Sequence, residues 1–267
     1  MKNFGKQHSA VVSIITPSYN SSKFISETIN SVVSQTFTCW EMIIVDDCSI
    51  DGSFDKISEL IESEPRIKLI SLDINSGAAT ARNKAIELAV GRYIAFLDSD
   101  DLWYPNKLEY QLSFMKENNI AFCYSAYEKV DENGNFIGSM GVPEKSSYRD
   151  MLKTCYVGCL TAIYDTEKIG KFYMPSSTKR EDFATWINIL KKIDYAYGLN
   201  EVLAKYRVYS AQISASKVKM AKETWRFYRE VERLGLFSSL YYFSHYALRG
   251  VLRAKFPSAA RFLGVLQ

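Results

Sequence analysis

Four short apolar segments alternate with helical periods across the first hundred residues, and this alternation constrains the fold more than any other feature. Residues 11–16 (Val-Val-Ser-Ile-Ile-Thr), 41–46, 67–72 and 93–97 (Tyr-Ile-Ala-Phe-Leu) read as buried strands. Helical periods fill the gaps at 23–35, 54–61 and 78–89, the first with Phe24, Ile25, Ile29, Val32 and Val33 inward. Strands separated by helices in this way form right-handed βαβ units around a mostly parallel sheet, so the fold class is α/β. The ligand of such a sheet sits outside the carboxyl ends of its strands.

Polar residues gather at each of those ends: Thr16-Pro17-Ser18-Tyr19-Asn20, Asp46-Asp47-Cys48-Ser49, Asn75-Ser76-Gly77 and Asp98-Ser99-Asp100-Asp101. Turns favour Asp, Asn, Ser and Gly in any protein, which explains one such cluster easily. Four in succession along one sheet edge point to a binding site. Beyond residue 101 the pattern predicts a helix over 106–118, a strand over 121–127, a turn at 133–135 and an irregular stretch at 138–147. A strand at 160–164, a loop to 179, a helix at 183–191, a strand at 203–209 and helices from 217 onward complete it.

No glycine-rich phosphate loop is present, neither Gly-x-x-x-x-Gly-Lys-Ser/Thr nor Gly-x-Gly-x-x-Gly. Asp98-Ser99-Asp100 offers a different route to phosphate, because alternate residues of an extended chain project to one side. Hard carboxylate oxygens suit Mg²⁺ or Mn²⁺, which bridge to a diphosphate and neutralise it as it leaves. The five cysteines (Cys39, Cys48, Cys123, Cys155, Cys159) form no Cys-x-x-Cys pair and read as structural thiols, with Cys155 and Cys159 spaced to share a helix face.

The quoted clusters, joined with Ala78-Ala-Thr-Ala-Arg82-Asn83, Gly91-Arg-Tyr-Ile-Ala-Phe-Leu-Asp98-Ser-Asp100-Asp101-Leu-Trp103, Pro105-Asn-Lys107-Leu-Glu109 and Ser31-Val-Val-Ser-Gln35-Thr36, resemble family 2 glycosyltransferases. The resemblance spans roughly residues 10 to 210, with the motifs in order. It implies a glycosyltransferase A-type fold and inverting transfer of one sugar from a nucleotide-sugar donor, UDP-linked by family habit, to a hydroxyl of a glycan or polyprenyl-linked acceptor in cell-surface polysaccharide synthesis. It also implies a nucleotide site at Thr16, Pro17, Tyr19, Asp46, Asp47, Arg82, Asp98 and Ser99. Within it Tyr19 stacks on the base, Asp47 accepts from the base N–H and Asp46 supports the same loop. Arg82 lies near the diphosphate, Asp98 near sugar hydroxyls, and Asp100 on a Mn²⁺ or Mg²⁺ cofactor. A salt bridge from Arg82 to Asp98 or Asp101 is a compatible structural role.

Arg180-Glu181-Asp182 opens the 183–191 helix and resembles the family's Glu-Asp motif, which makes Asp182 the general base. Acidic residues at helix starts also satisfy free N–H groups and oppose the dipole, so the residues alone leave both roles open. Lys205-Tyr206-Arg207 and residues 210–216 match the strand that follows. Tyr209 stands where many members carry a histidine, which leaves a third protein metal ligand in doubt. The Gln-x-x-Arg-Trp motif of processive synthases is missing, consistent with single-sugar transfer.

The chain divides into a catalytic domain at 1–215, with a nucleotide-binding half at 1–101 and an acceptor half at 102–215, and a basic, aromatic helical tail at 216–267. The tail holds ten Lys and Arg against three Glu, while the remainder carries 23 basic and 27 acidic residues. A basic tail on an acidic body suits an anionic surface, and here a membrane rather than nucleic acid. Leu236, Leu240, Phe243, Ala247 and Val251 recur at helical spacing, with Ser238, Tyr242, His245, Arg249 and Arg253 opposite. Such a helix suits a headgroup region, or packing on the domain or another subunit. Residues 1–10 lack a signal-peptide apolar stretch, and no uncharged run, 234–248 included, reaches the roughly 18–20 residues that span a bilayer. A cytoplasmic location is expected, with peripheral contact at the inner face of a membrane. A sugar-1-phosphate nucleotidyltransferase and a catalytically silent nucleotide-sugar-binding partner are the alternative readings.

Overall fold

The computed structural model of the chain describes residues 10–209 and 217–255. The first hundred residues form as the apolar runs predict: β1 (Val12–Ser18), α1 (Ile25–Val33), β2 (Trp40–Asp46), α2 (Ser53–Ile61), β3 (Ile67–Ser71), α3 (Ala78–Leu88) and β4 (Tyr93–Phe96). The second half runs β5 (Leu102–Trp103), α4 (Lys107–Glu117), β6 (Phe122–Val130), β7 (Phe136–Met140), β8 (Lys145–Ser146), α5 (Tyr148–Lys153), β9 (Ile163–Asp165), α6 (Thr166–Ile169), α7 (Glu181–Leu190) and β10 (Ala196–Arg207). Helices α8 (Lys217–Arg226) and α9 (Leu236–Lys255), joined through a π-helical turn at Phe227–Val231, follow.

These strands form one sheet in the order β3-β2-β1-β4-β9-β6-β10-β5, with β7 on β6 and β8 on β10. Strands β1 to β4 pair in parallel, as do β6 and β10, whereas β9 sits antiparallel between β4 and β6. Every residue of β1, β2 and β4 is buried, the signature of strands covered on both faces. The two-residue side-chain period sorts them. Ile15, Ile43, Val45, Ile94 and Phe96 pack with α3 and α7 on one face. Val12, Ile14, Met42, Ile44 and Ala95 pack with α1, α2 and α4 on the other. Sheet between two helical layers is the architecture the alternation predicts.

Departures concentrate after residue 101. Residues 138–147, expected irregular, hold β7 and β8; β7 is a mostly exposed strand containing Gly138, so it carries no apolar period. Residues 160–164 are a 3-10 turn (Cys159–Thr161) leading into β9 rather than one strand. Strand β10 starts seven residues before the expected 203, because Gly198, Asn200 and Glu201 interrupt its pattern where its register on β6 shifts. Cys155 and Cys159 share no helix face: α5 ends at Lys153 with Thr154 extended, and none of the five cysteines is in a disulfide. The faces of the tail helix do not divide as the spacing predicts, since Tyr242 from the side expected to be polar packs inward beside Phe243. Tyr242 and Phe243 turn inward onto Tyr228 and Trp225, while Leu240, Ala247 and Val251 are exposed. Phe227 and Tyr228 belong to the core shared with α7. The side chain of Arg253 and residues 210–216 lie outside the described residues.

Lys107 opens α4 fully buried, its ammonium 4.0 Å from the centre of the Trp103 ring and without a hydrogen-bond acceptor. Burial pulls it from an ordinary 10.5 down to about 7. The unfolded chain therefore binds more protons between those values, and this group makes stability rise with pH across that window. From pH 7 to pH 9 its share of the rise is about 2 kcal/mol. Lys107→Met should remove that share and stabilise the protein at pH 7. Urea unfolding of both proteins at the two pH values measures it, and identical pH slopes would contradict it.

Candidate active site

The carboxyl ends of β1 to β4 converge on one edge, and short polar side chains stitch their loops together. Asp46 closes β2, accepting from the Ser49 backbone N–H (2.9 Å), the Ser49 hydroxyl (2.6 Å) and the Ser18 hydroxyl (3.2 Å). Asn20 and Cys48 adopt left-handed backbone, φ 48° and 61°, which folds the two loops against each other. The Asn20 N–H donates to Ser49 Oγ (2.9 Å), and the Ile50 N–H donates back to Asn20 Oδ1 (3.0 Å). This leaves Tyr19 half exposed at the rim, while Thr16 and Pro17 stay buried within β1. Asp47 accepts from the backbone N–H groups of Ser76 and Gly77, both at 2.7 Å. Gly77 (φ 86°) is the residue that precedes α3, so Asp47 fixes where that helix begins.

The segment 98–101 leaves β4 as a tight turn, with the Asp101 N–H donating to the Asp98 carbonyl (3.1 Å). The Thr28 hydroxyl on α1 reaches the carbonyls of Ser99 (3.0 Å) and Asp101 (2.9 Å). Asp101 is buried and accepts from the Arg207 backbone N–H at 2.9 Å. Burial first, then the charges of Asp100 and Asp98, pushes its carboxyl well above the usual range. The buried Arg207 guanidinium donates to the Asp100 carbonyl (2.9 Å), the Glu132 carbonyl (3.0 Å) and Glu27 Oε2 (2.7 Å). The Tyr209 hydroxyl donates to Asp100 Oδ2 at 2.9 Å, and its ring lies 5.5 Å from that of Phe24. Tyr19, Ser99, Asp100, Glu132 and Tyr209 thus line one cavity of about 260 Å³.

On the other side of Asp98 stands Arg82, projecting from α3 and buried. Its guanidinium donates to Asp98 Oδ1 at 2.6 Å and to Glu181 Oε1 at 3.3 Å, while Nε has no partner. The salt bridge expected for Arg82 therefore forms with Asp98 and not Asp101, and its second partner comes from the acceptor half. Asn83, next on α3, exchanges hydrogen bonds with the backbone of Met174 (2.7 and 2.8 Å), which ties down the loop before α7. Burial, then the nearby charges of Asp182 and Asp98, raises the Glu181 carboxyl, although Arg82 opposes the shift. Asp98, Glu181 and Asp182 are therefore close enough to feel one another. Asp182 accepts from the Phe183 N–H at 2.7 Å, so its carboxylate does satisfy a free donor in the first turn of α7. A second cavity, about 400 Å³, opens beside Glu181 between the start of α3, the loop at 176–179 and α8.

Sequence reasoning passed over Glu181, Arg207 and Glu27 as site residues. Glu181 stood in a quoted motif, but nothing local signals its pairing with Arg82, 99 positions away. Among the described residues no group of three or more His, Cys, Asp or Glu is placed to hold a metal alone. Mg²⁺ and Mn²⁺ need only one or two protein carboxylates when a diphosphate completes the shell. Asp100 beside the cavity meets that need, and three crowded carboxylates at 98–101 favour a cation there, so the donor set fits.

A family model described as glycosyl transferase family 2 matches residues 13–171, which carry this whole edge up to the loop before α7. The chain belongs to that family. It is 47% identical over 90% of its length to TuaG of Bacillus subtilis, a glycosyltransferase named for teichuronic acid biosynthesis, and covers 96% of that protein. It is 40% identical over 92% of its length to WfgD of Escherichia coli, named as a UDP-Glc:alpha-D-GlcNAc-diphosphoundecaprenol beta-1,3-glucosyltransferase, and covers 96% of it. Among solved structures, TarS of S. aureus in complex with UDP-GlcNAc superimposes with a TM-score of 0.70 at 23% identity, covering 91% of this chain and 72% of that one. The fold is thus that of A-type glycosyltransferases, and the protein is a family 2 glycosyltransferase with relatives in cell-surface polysaccharide synthesis.

The Arg82 bridge yields a direct prediction. Arg82→Met keeps the stem and leaves Asp98 and Glu181 without their shared cation, which should cost about 3 kcal/mol. Urea unfolding at pH 7 tests this, and an unchanged midpoint would show that the bridge contributes nothing to the fold.

Proposed function

We propose that this glycosyltransferase moves a single sugar from a UDP-sugar to a hydroxyl of a lipid-linked glycan acceptor, with inversion and with a Mn²⁺ or Mg²⁺ cofactor. The observation that carries the proposal is the bridge at Arg82, which holds the Asp98–Asp100 turn on one side and the Glu181–Asp182 helix start on the other. The printed names of relatives supply the substrate class: a UDP-Glc donor and a diphosphoundecaprenol-linked acceptor for WfgD. A mannosyltransferase of Pyrobaculum calidifontis solved with GDP-Man and Mn²⁺, TM-score 0.65 at 17% identity, shares the fold, and its metal supports the cofactor reading.

In this reading Tyr19 offers its exposed ring to the base, and Asp46 and Asp47 hold the loop that receives it, with Thr16 and Pro17 beneath. Ser99 and Asp98 face the ribose and sugar hydroxyls. Arg82 stays ionised at any accessible pH, since the charges of Asp98 and Glu181 outweigh its burial. It therefore offers fixed positive charge beside the departing diphosphate. A divalent ion on Asp100, when bound, neutralises further charge on that group. Asp182 takes the proton of the acceptor hydroxyl, which attacks the anomeric carbon from the face opposite the diphosphate.

Two measurements test the assignment. Asp182→Asn keeps an oxygen for the Phe183 N–H, so the melting temperature should barely move, while transfer falls by roughly 10²–10⁴-fold, the usual worth of a positioned base. Transfer near the wild-type rate would reduce Asp182 to a helix cap. Separately, UDP at 100 times its dissociation constant should stabilise the protein by about 2.7 kcal/mol, with Mn²⁺ deepening the effect. Asp100→Ala should abolish the Mn²⁺ increment and leave a response to UDP alone; an intact increment would place the metal elsewhere.

A further inference from the structure

Helix α9 has two faces of different character. Inward, Tyr242 meets Tyr228 (ring centroids 6.4 Å), Phe243 meets the edge of Trp225 (5.4 Å), and the Arg249 guanidinium donates to the Tyr156 hydroxyl. Outward, Phe237 is 87% exposed, and Leu240, Tyr241, Leu248 and Val251 are each about half exposed (49%, 52%, 59% and 49%). Positions 237, 240, 241, 244, 248 and 251 fall within one helical stripe of roughly 100°, interrupted only by Ser244. At 1.5 Å per residue the stripe runs about 21 Å. Large apolar side chains left uncovered in one contiguous row mark an interaction face.

Charge identifies what the face meets. Helix α9 contains no Asp or Glu, and residues 217–255 hold nine Lys and Arg against three Glu, on a body that is otherwise acidic. Lys222, Arg226, Arg229 and Arg233 are exposed on the segment leading into the stripe. No helix among the described residues is long and apolar enough to cross a membrane. An apolar stripe on a helix without acidic residues, preceded in the chain by exposed cations, suits a helix lying in the headgroup plane of an anionic leaflet.

We propose that α9 docks this protein on an anionic lipid surface, with Phe237, Leu240, Tyr241, Leu248 and Val251 in the headgroup–acyl boundary. The proposal rests on the lipid-linked acceptor reading and deepens it. Helix α8, which α9 packs against through Trp225, lines the cavity beside Glu181 with Glu223 and Arg226. The docking element and the wall of that cavity are thus one piece of structure.

Deleting residue 216 onward would strip Phe227 and Tyr228 from the core, so surface substitutions in the full chain make the better test. Co-sedimentation with phosphatidylglycerol-containing vesicles should show binding that weakens as salt rises and is lost on pure phosphatidylcholine. Leu240→Asp combined with Leu248→Asp should reduce binding by about tenfold or more, since two charges enter the buried stripe. Its melting temperature, and its stabilisation by UDP, should match the wild type. That UDP arm reports on the donor site alone, so a failure of docking is distinguishable from a failure of the assigned activity. Wild-type protein that ignores anionic vesicles, or a double variant that binds them equally well, overturns the proposal. So does a wild-type dimer that the variant converts to monomer without any vesicle binding, which would make the stripe a contact between two copies.

Discussion

Three carboxylates within four residues, Asp98, Asp100 and Asp101, close a fully buried strand, and the site depends on how that charge is held. Ionised carboxylates out of water are costly unless paired, and here two buried guanidinium groups approach from opposite sides. Arg82 takes Asp98 from the α3 side, and Arg207 takes the Asp100 carbonyl and, through its backbone, Asp101 from the β10 side. Asp101 is left with a raised carboxyl deep in the protein, while Asp100 borders the cavity. Neighbours in sequence are thereby placed differently: one braces the turn, and one borders the cavity.

The two arginines also tie the earlier and later parts of the chain together. Arg82 on α3 pairs with Glu181 at the start of α7, and Arg207 at the end of β10 pairs with Glu27 on α1. Each bridge spans the sheet edge at which the substrates would meet. Removing one partner of such a pair costs more than the pair itself contributes, because the remaining charge stays buried. The geometry of this sheet edge is therefore set by electrostatic pairing as much as by apolar packing.

How much of this the sequence shows follows from the range of the interactions. Strands β1, β2 and β4 were legible because burial on both faces writes them as unbroken apolar runs, and the site edge followed from the parallel rule. Asp46, Asp47, Asp98 and Asp100 stood out because each ends such a run. Strand β7 was missed because it is exposed and broken by Gly138, and the start of β10 because Asn200 and Glu201 sit at a register shift. The partners of Arg82 and Arg207 lie 99 and 180 positions away, and no local pattern encodes a contact of that range. Which face of α9 turns inward is not legible for a related reason. Its inward face is chosen by Trp225 and Tyr228 on the preceding turns, and its outward stripe is nearly as apolar as the face it packs with.

The same packing ties the tail to the chemistry. Arg180, the residue before α7, donates to the Thr224 hydroxyl on α8 and lies over the rings of Phe183 (4.4 Å) and Tyr246 (5.7 Å). Phe183 in turn meets Phe227 at 4.8 Å. One cation thus fastens the start of the Glu181–Asp182 helix to both tail helices, and a guanidinium over aromatic faces is strongest where water is excluded. A helix end held from both sides, by Arg82 through Glu181 and by Arg180 through α8 and α9, has little freedom to reorient. In the proposed role of Asp182 as general base that rigidity would matter, since its usefulness depends on reaching one hydroxyl within hydrogen-bond distance. The tail is accordingly part of what holds the start of α7 in place, whatever its outer face meets.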